Sequence, residues 1–450
     1  MSETGGTLFV VSGNAESKTI APGVPVPQTS VRLQPWGEGD LALLEQANTA
    51  EMTRHLGGPE PREDLEARQA RYLRLNRQGH GAMYRIEVDG HPAGGIGYWP
   101  TSHPESAAYE TGWNVLPPWQ GRGVAREALR LLLRRLADEA APREAVYAYP
   151  SVDNPASNAL CRAAGFEDRG EMTVPWRGGD LRTRVWVLDT RPLDLAGREP
   201  EVDERFRAGA VDTARWWPYY TPHWSSREQT AARYEVGPRG LSLRIDADTQ
   251  PWAPAVDGEV RVSHLQTGQS SGPPGSALGQ HRFREGLVVT QEQPEHRGWL
   301  VQYGVISARF GAIRHPAAMV AFWPIGFEER PFECGEICIA EVFGSEIDDE
   351  GGWVGVGVKA QNDPRLRTDF DKVRVNGDLT AAHDYAVDWS PERLRFFIDG
   401  RWVKTVAQRI DYPVQLMLDV YELPADAPRD VSQHPLRFDV ERVSSYAPER

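Results

Sequence analysis

The sequence predicts two domains of different class, a mixed α/β unit followed by an all-β sandwich. Three observations lead there. The chain has 450 residues, more than a single hydrophobic core usually serves. Up to about residue 190, short β-like runs alternate with longer stretches whose apolar residues recur at helical spacing. Beyond the polar, proline-containing stretch TRPLDLAGREPEVDER, short runs rich in Val, Ile, Trp, Tyr and Phe repeat between Gly, Pro and Asp turns, with no long helix. The expected division is a flexible lead-in over 1–28, a first domain over 29–190, a linker over 191–200 and a second domain over 201–450.

Residues 1–28 are rich in Gly, Ser and Pro (APGVPVPQTS) and are read as a mobile lead-in. The ordered chain is expected to begin at Val31-Arg32-Leu33. A helical stretch around Asp40 to Asn76 follows, then a hairpin, AMYRIEVDGHPAGGIGYWP, with its turn at Asp89-Gly90. A strand over Ala108 to Leu116 leads into Pro117-Pro118 and Gln120-Gly121-Arg122-Gly123. After it AREALRLLLRRLADEA has the length and apolar spacing of an amphipathic helix. A strand over Ala145 to Tyr149, a helix opened by Asn154-Pro155 and ended near Gly165, and a last strand over Thr183 to Leu188 complete the α/β unit. In the second domain the long loop QTGQSSGPPGSALGQ (266–280) is read as either disordered or part of a binding rim. Trp216, Trp217, Tyr219 and Tyr220 are read as core or edge cover rather than a sugar platform.

Composition narrows the function. With 40% hydrophobic and 25% charged residues the chain has the make-up of a soluble globular protein. A net charge of −14 argues against nucleic acid or anionic lipid as partner, because both are held largely by Lys and Arg. Lys18, Lys359, Lys372 and Lys404 are the only lysines. The cysteines, Cys161, Cys334 and Cys338, are odd in number and lack zinc or disulfide spacing, which suits a reducing compartment. No metal motif is present. The acidic run Glu346 to Glu350 has the composition to hold calcium, but a solvated charge run is the better reading. The beginning of the sequence has no basic segment and only a short apolar run, so neither a signal peptide nor a membrane span is expected, and the protein is read as cytoplasmic.

A Gly-rich turn between a strand and a helix can aim several backbone N–H groups at a phosphate. Gln120, Gly121, Arg122, Gly123, Val124 and Ala125 are so placed. With Glu110-Thr-Gly-Trp-Asn-Val before this turn, and Asn154-Pro-Ala-Ser157-Asn158 and Gly165-Phe166 after it, residues 30–190 resemble the GNAT N-acetyltransferase superfamily. The resemblance implies the GNAT α/β fold, acetyl-CoA as cofactor with its pyrophosphate on the N–H groups of Gln120 to Ala125, and a splayed strand at Val115 and Leu116 that receives the pantetheine. Arg122 and Arg126 would add charge, and Asn154 would contact the cofactor or cap its helix. Glu110 matches the frequent general base, its plainer reading being an exposed strand carboxylate. Where many members have a tyrosine acid this chain has Cys161. Ser157 is the other candidate donor, its plainer reading being a solvated or back-bonded helix hydroxyl.

In the second domain, Glu336-Ile337-Cys338-Ile339-Ala340-Glu341 sets two carboxylates five apart in an apolar, β-branched run. Residues five apart in a regular strand face opposite ways, so joint action requires a β-bulge near Ile339-Ala340. The strand resembles the Glu-x-Asp-x-x-Glu motif of glycoside hydrolase family 16. Supporting matches are Tyr303-Gly304-Val-Ile-Ser-Ala-Arg309, Ala321-Phe-Trp323-Pro, and His383-Asp-Tyr-Ala-Val-Asp388-Trp389 with Phe397-Ile-Asp-Gly400. The resemblance implies a concanavalin A-like jelly roll, Glu336 as nucleophile, Glu341 as acid/base, and Trp323 and Trp353 as sugar-stacking platforms. Cys338 stands where the family has Asp, which removes a strong hydrogen bond to the nucleophile, worth roughly one to two powers of ten in rate.

The expected function is acetyl-CoA-dependent N-acetylation of a small-molecule or peptide amine, fused to retaining, endo-β-glucanase-like cleavage of a β-linked oligo- or polysaccharide. The alternative is a sandwich that binds carbohydrate without cleaving it, leaving only the acetyltransferase active.

Overall fold

The computed structural model describes residues 30–449 apart from 104–105, 139–142 and 425–427. The expected lead-in over 1–28 lies outside the described residues. Two compact units divide the chain between Leu193 and Asp194, with Arg401–Ala407 grouped with the first.

The first unit is a seven-stranded sheet of β1 (Val31–Pro35), β2 (Ala82–Val88), β3 (His91–His103), β4 (Ser106–Val115), β5 (Ala145–Ala148), β6 (Glu167–Trp176) and β7 (Gly179–Asp189), in the order β1-β2-β3-β4-β5-β7-β6. The helices are α1 (Leu41–Ala47), α2 (Ala50–Thr53), α3 (Arg62–Gln78), α4 (Val124–Ala137) and α5 (Pro155–Ala163). Asp89 and Gly90 both take positive φ and close the β2–β3 hairpin, the geometry a two-residue turn demands. β4 and β5 run parallel, which requires a crossover, and α4 supplies it. Its buried Val124, Ala128, Leu129, Leu132 and Leu136 form one face, the stripe that the spacing predicts.

Two expectations differ from the fold. The helical stretch over 40–76 is broken twice, between α1 and α2 at Asn48-Thr49, where Thr49 caps α2, and between α2 and α3 at Gly57-Gly58-Pro59 and Pro61, before Arg62 starts the next helix. The last strand is in fact a hairpin, β6 and β7, joined at Arg177-Gly178. β6 is mostly exposed and carries Gly170 and Pro175, residues that weaken a strand signal and are tolerated at a sheet edge.

The second unit is a sandwich of two antiparallel sheets. One has His383–Trp389, Gly304–Phe310, Leu436–Tyr446 and Gly240–Ile245 as its middle strands. The other runs Arg261–Gln266, Val414–Glu422, Ala318–Gly326, Glu336–Phe343, Gly351–Lys359, Asp369–Asn376. Alternation along Gly351–Lys359 buries Val354, Val356 and Val358 on one face and leaves Trp353, Gly355, Gly357 and Lys359 on the other. Over part of that second face lies an aromatic cluster of Tyr220, Trp224, Trp252, Trp323 and Tyr421. Trp216 and Tyr220 are buried, as their reading as core predicts. The 266–280 loop is tied down by a bridge between Ser271 and Gly279 and by buried Gln280, whose Oε1 accepts from the backbone N–H of Ser270 at 2.8 Å.

Candidate functional site

In the first unit the parallel pairing of β4 with β5 covers only Ala108–Glu110 against Ala145–Tyr147. Beyond Glu110 the rest of β4, as far as Val115, pairs with no strand on that side among the described residues, and a gap opens between the strands. Glu110 stands at the head of this gap. Its carboxyl is raised above the ordinary glutamate range by burial, against the opposing pull of an indole N–H from Trp99, its cross-strand partner, and of Arg71. Tyr149, at the end of β5, keeps its phenolic proton, pushed up to about 12 by burial and by nearby Glu110. Val115 pairs with Gly94 and, like Leu116, is buried. Gln120 Nε2 donates to the Val115 carbonyl at 2.8 Å.

The turn that follows has the shape a pyrophosphate needs. Gly121 and Gly123 have φ of +71° and +78°, and a Cβ on either would meet open space, so backbone conformation rather than crowding requires glycine there. Gly123 is the N-cap of α4 and offers no side-chain cap, leaving the first N–H groups of a 14-residue helix for an anion. Val124 is buried, Ala125 follows it, and Arg122 lies 5.6 Å over the ring of Trp119. These residues fit an acyl-CoA pyrophosphate.

Asn154 Oδ1 accepts from the Ser157 backbone N–H at 3.1 Å, the bond of a helix N-cap. Ser157 sits half-buried in the first turn of α5. Cys161 lies a turn further on, fully buried, and burial pushes its thiol up to about 12. Buried Asn158 ties α5 to the sheet by accepting from Trp186 Nε1 at 2.8 Å.

In the second unit, Glu336 pairs with Lys359 and Cys338 with Gly357, after which the register shifts so that Glu341 lies opposite Gly355. The shift is the bulge that the spacing requires. It turns Glu341 to the face of Glu336, and Lys359 shows this directly. Its Nζ lies 3.0 Å from Glu336 Oε1 and 2.8 Å from Glu341 Oε2. Two bonds through one nitrogen keep those oxygens within about 6 Å of each other, an upper bound that accommodates the spacing of about 5–5.5 Å of a retaining pair. Gln361 Nε2 donates to the other oxygen of Glu336 at 2.5 Å.

Glu336 is buried, and that burial, together with Glu341, raises its carboxyl above the ordinary range while Lys359 pulls the other way. Burial disfavours the Lys359 ammonium, but the two glutamates outweigh it and hold its proton firmly. The Cys338 thiol is buried, pushed well up by that burial, and turned to the Gly355 carbonyl at 3.7 Å. Trp323 is 5% exposed, with its indole N–H on Asp419 and its ring 5.1 Å from His281. Asp419 also bonds buried His264 and accepts from Tyr421 OH at 3.2 Å. Trp353 is half-buried on the face of Glu341, with Arg374 5.8 Å over its ring. In the acidic run, Asp348 accepts from Arg374 at 2.6 Å and Glu346 pairs with Lys372, so that part of its charge is answered by side chains.

Sequence reasoning missed Lys359, Gln361, Trp99 and Tyr149. The first two reach Glu336 through cross-strand register, which no local motif marks. The weak signal was that Lys359 is one of four lysines in a chain whose cations are otherwise arginine.

Comparison with known proteins agrees with both halves. The model of the acetyltransferase (GNAT) domain matches residues 30–167, and that of glycosyl hydrolases family 16 matches residues 298–427. No curated protein matches the chain. Among solved structures, a GlcNAcα1-4Gal-releasing endo-β-galactosidase from Clostridium perfringens is 26% identical with a TM-score of 0.50, over 57% of this chain and 65% of its own. The match thus spans less than two thirds of that enzyme. A laminarinase from Flavobacterium sp. UMI-01 is 18% identical over 55% of this chain and 100% of its own, TM-score 0.40. An acetyl transferase from Salmonella typhimurium that modifies the N-terminal serine of ribosomal protein L7/L12 is 21% identical over 38% of this chain and 99% of its own, TM-score 0.32. Residues 30–167 are therefore an acetyltransferase (GNAT) domain, and residues 298–427 are a domain of glycosyl hydrolases family 16 in the same chain.

Proposed function

We propose that the first domain N-acetylates an amine with acetyl-CoA and that the second cleaves a β-linked saccharide with retention of configuration. The observation that carries the second half is Lys359 bonded to Glu336 and Glu341 together, since two carboxyl groups on one face at this spacing suffice for the reaction. A Glu336 oxygen attacks the anomeric carbon as the bond to the leaving sugar oxygen breaks, and Glu341 gives that oxygen its proton. Water then displaces Glu336 and returns a proton to Glu341. Trp353, on the same face, is the stacking platform we favour. Trp323 acts through its hold on Asp419, with little ring face exposed.

In the first domain acetyl-CoA supplies the activated acetyl thioester. Gln120 to Ala125 hold its pyrophosphate, and the open edge of β4 at Val115 and Leu116 receives the pantetheine. Glu110 takes the proton of the attacking amine, a role that its raised carboxyl and its position at the head of the gap support. Ser157 is a better proton donor than Cys161, because the cysteine thiol is fully buried.

The acceptor is a small-molecule or peptide amine. An amino sugar is the form we favour, since a similar structure belongs to an enzyme that releases a disaccharide containing an N-acetylated amino sugar. Three free, buried cysteines support a reducing, cytoplasmic setting, and no helix among the described residues is long and apolar enough to cross a membrane.

A second reading, binding without cleavage, is favoured by Cys338, which offers Glu336 no hydrogen bond. The full chain is assayed with glucosamine oligosaccharides and peptide amines for acetyl transfer, and with β-glucans and β-galactans for cleavage. Loss of acetylation in Glu110→Gln and of cleavage in Glu336→Gln is expected. Undiminished activity in either variant refutes the corresponding half.

A further inference from the structure

We propose that Lys359, seconded by Gln361, is the positioning residue of Glu336, holding the nucleophile where Cys338 cannot. The inference rests on the reading of the second domain as a glycosidase and extends it to residues that the Glu-x-Asp-x-x-Glu motif does not contain.

Both oxygens of Glu336 are engaged, Oε1 by Lys359 at 3.0 Å and Oε2 by Gln361 at 2.5 Å. The thiol of Cys338 points instead to a backbone carbonyl. The hold on Glu336 has thus passed to the neighbouring strand and the residues just after it. That strand is built for the purpose. Between Trp353 and Lys359, the residues on this face are Gly355 and Gly357. A Cβ at Gly355 would lie 2.4 Å from the ring of Phe370, and one at Gly357, where φ is +140°, would lie 2.2 Å from the Asp369 carbonyl. Leaving both positions bare lets Phe370 close in beside Lys359, whose Nζ lies 4.9 Å from the ring centre. The ammonium is therefore fixed from the side by an aromatic ring and from above by two carboxylates. A single nitrogen can serve two acids that converge on one point, whereas the planar fork of arginine needs a broader site. This is one of four positions where an otherwise arginine-rich chain carries lysine.

The other groups that interact with the pair are Glu341 and Cys338 on the same strand as Glu336, and Tyr220 and His281 from two separate stretches of chain. Burial keeps the Tyr220 phenol protonated and the His281 imidazole neutral, its value lowered to about 3. Neither changes charge in the working range. Among the described residues Lys359 alone supplies positive charge to Glu336 there, and its removal makes the nucleophile easier to protonate. During cleavage the contact of Lys359 with Glu341 is the one a glycosidic oxygen displaces, and the contact with Glu336 persists.

The test measures kcat and KM against pH for the full chain on a β-1,3-glucan and a β-galactan. Variants are Lys359→Met, Lys359→Arg and Gln361→Ala. Beside this, the Glu336 carboxyl is titrated by NMR in chain labelled with carboxyl-¹³C glutamate and assigned with Glu336→Gln. Lys359→Met is expected to lower kcat roughly tenfold or more with KM within about twofold, and to move the acid limb to higher pH. Lys359→Arg recovers part of the loss, and Gln361→Ala shows a smaller one. An unchanged acid limb with wild-type kcat in Lys359→Met overturns the proposal. So does a Glu336 titration that is the same with and without Lys359, whether or not any saccharide is cleaved. No turnover in any variant, with the titration still moved, refutes the glycosidase reading and leaves the hold on Glu336 standing.

Discussion

At Glu336 burial and charge oppose each other. Removal from water favours the protonated acid, and an ammonium at 3.0 Å favours the carboxylate. Burial prevails, and the group ends above the ordinary glutamate value of about 4.3. The nucleophile proposed here must be ionised, so cleavage is expected to be lost as pH falls through this raised value. A profile of kcat/KM against pH should show its acid limb above the range of an exposed glutamate. Cys338 beside it is 1% exposed, and its thiol should resist iodoacetamide until the domain unfolds, as a time course of alkylation would show. Because both Glu336 oxygens already have donors, Cys338→Asp adds a third buried acid rather than a missing bond, and its kcat should exceed the wild type by no more than about tenfold. The two glutamates and the need for a bulge between them were legible in the sequence, since parity along a strand is a local property. Lys359 was not, because its contact arises from the pairing of two strands.

Among the elements, the turn before α4 shows how backbone shape would make the cofactor site proposed above. Gly121 and Gly123 hold left-handed conformations in open space, so Gly123→Ala meets no clash, only the strain of a Cβ at positive φ, about 1 kcal/mol or more. The expected outcome is a small fall in Tm with a severalfold rise in KM for acetyl-CoA. A variant with unaltered KM would remove this turn from the cofactor site. The turn, its helix and the β2–β3 hairpin could be read from glycine placement and apolar period. β6 could not, because an exposed edge strand with Gly170 and Pro175 has neither alternation nor propensity to mark it. The helix expected over 40–76 failed for the converse reason, a helix-friendly composition interrupted by Gly57-Gly58-Pro59 and Pro61, whose backbone preferences outrank it.

At the scale of the whole molecule, each unit has its own sheet or sheets and its own core, the condition for units that unfold separately. Calorimetry should therefore resolve two transitions. Acetyl-CoA at about a hundred times its Kd should stabilise the first unit by about 2.7 kcal/mol and leave the other transition in place. A change of class from α/β to all-β was visible in the sequence because the period of its apolar residues changes near residue 190. The most direct test of a working glycosidase is hydrolysis of β-1,3-glucan, β-1,4-glucan and β-galactan by the full chain, wild type against Glu336→Gln. Turnover by the wild type with retained anomeric configuration, lost in Glu336→Gln, is the expected result. Saccharide binding without turnover by the wild type, or turnover that survives in Glu336→Gln, would contradict it.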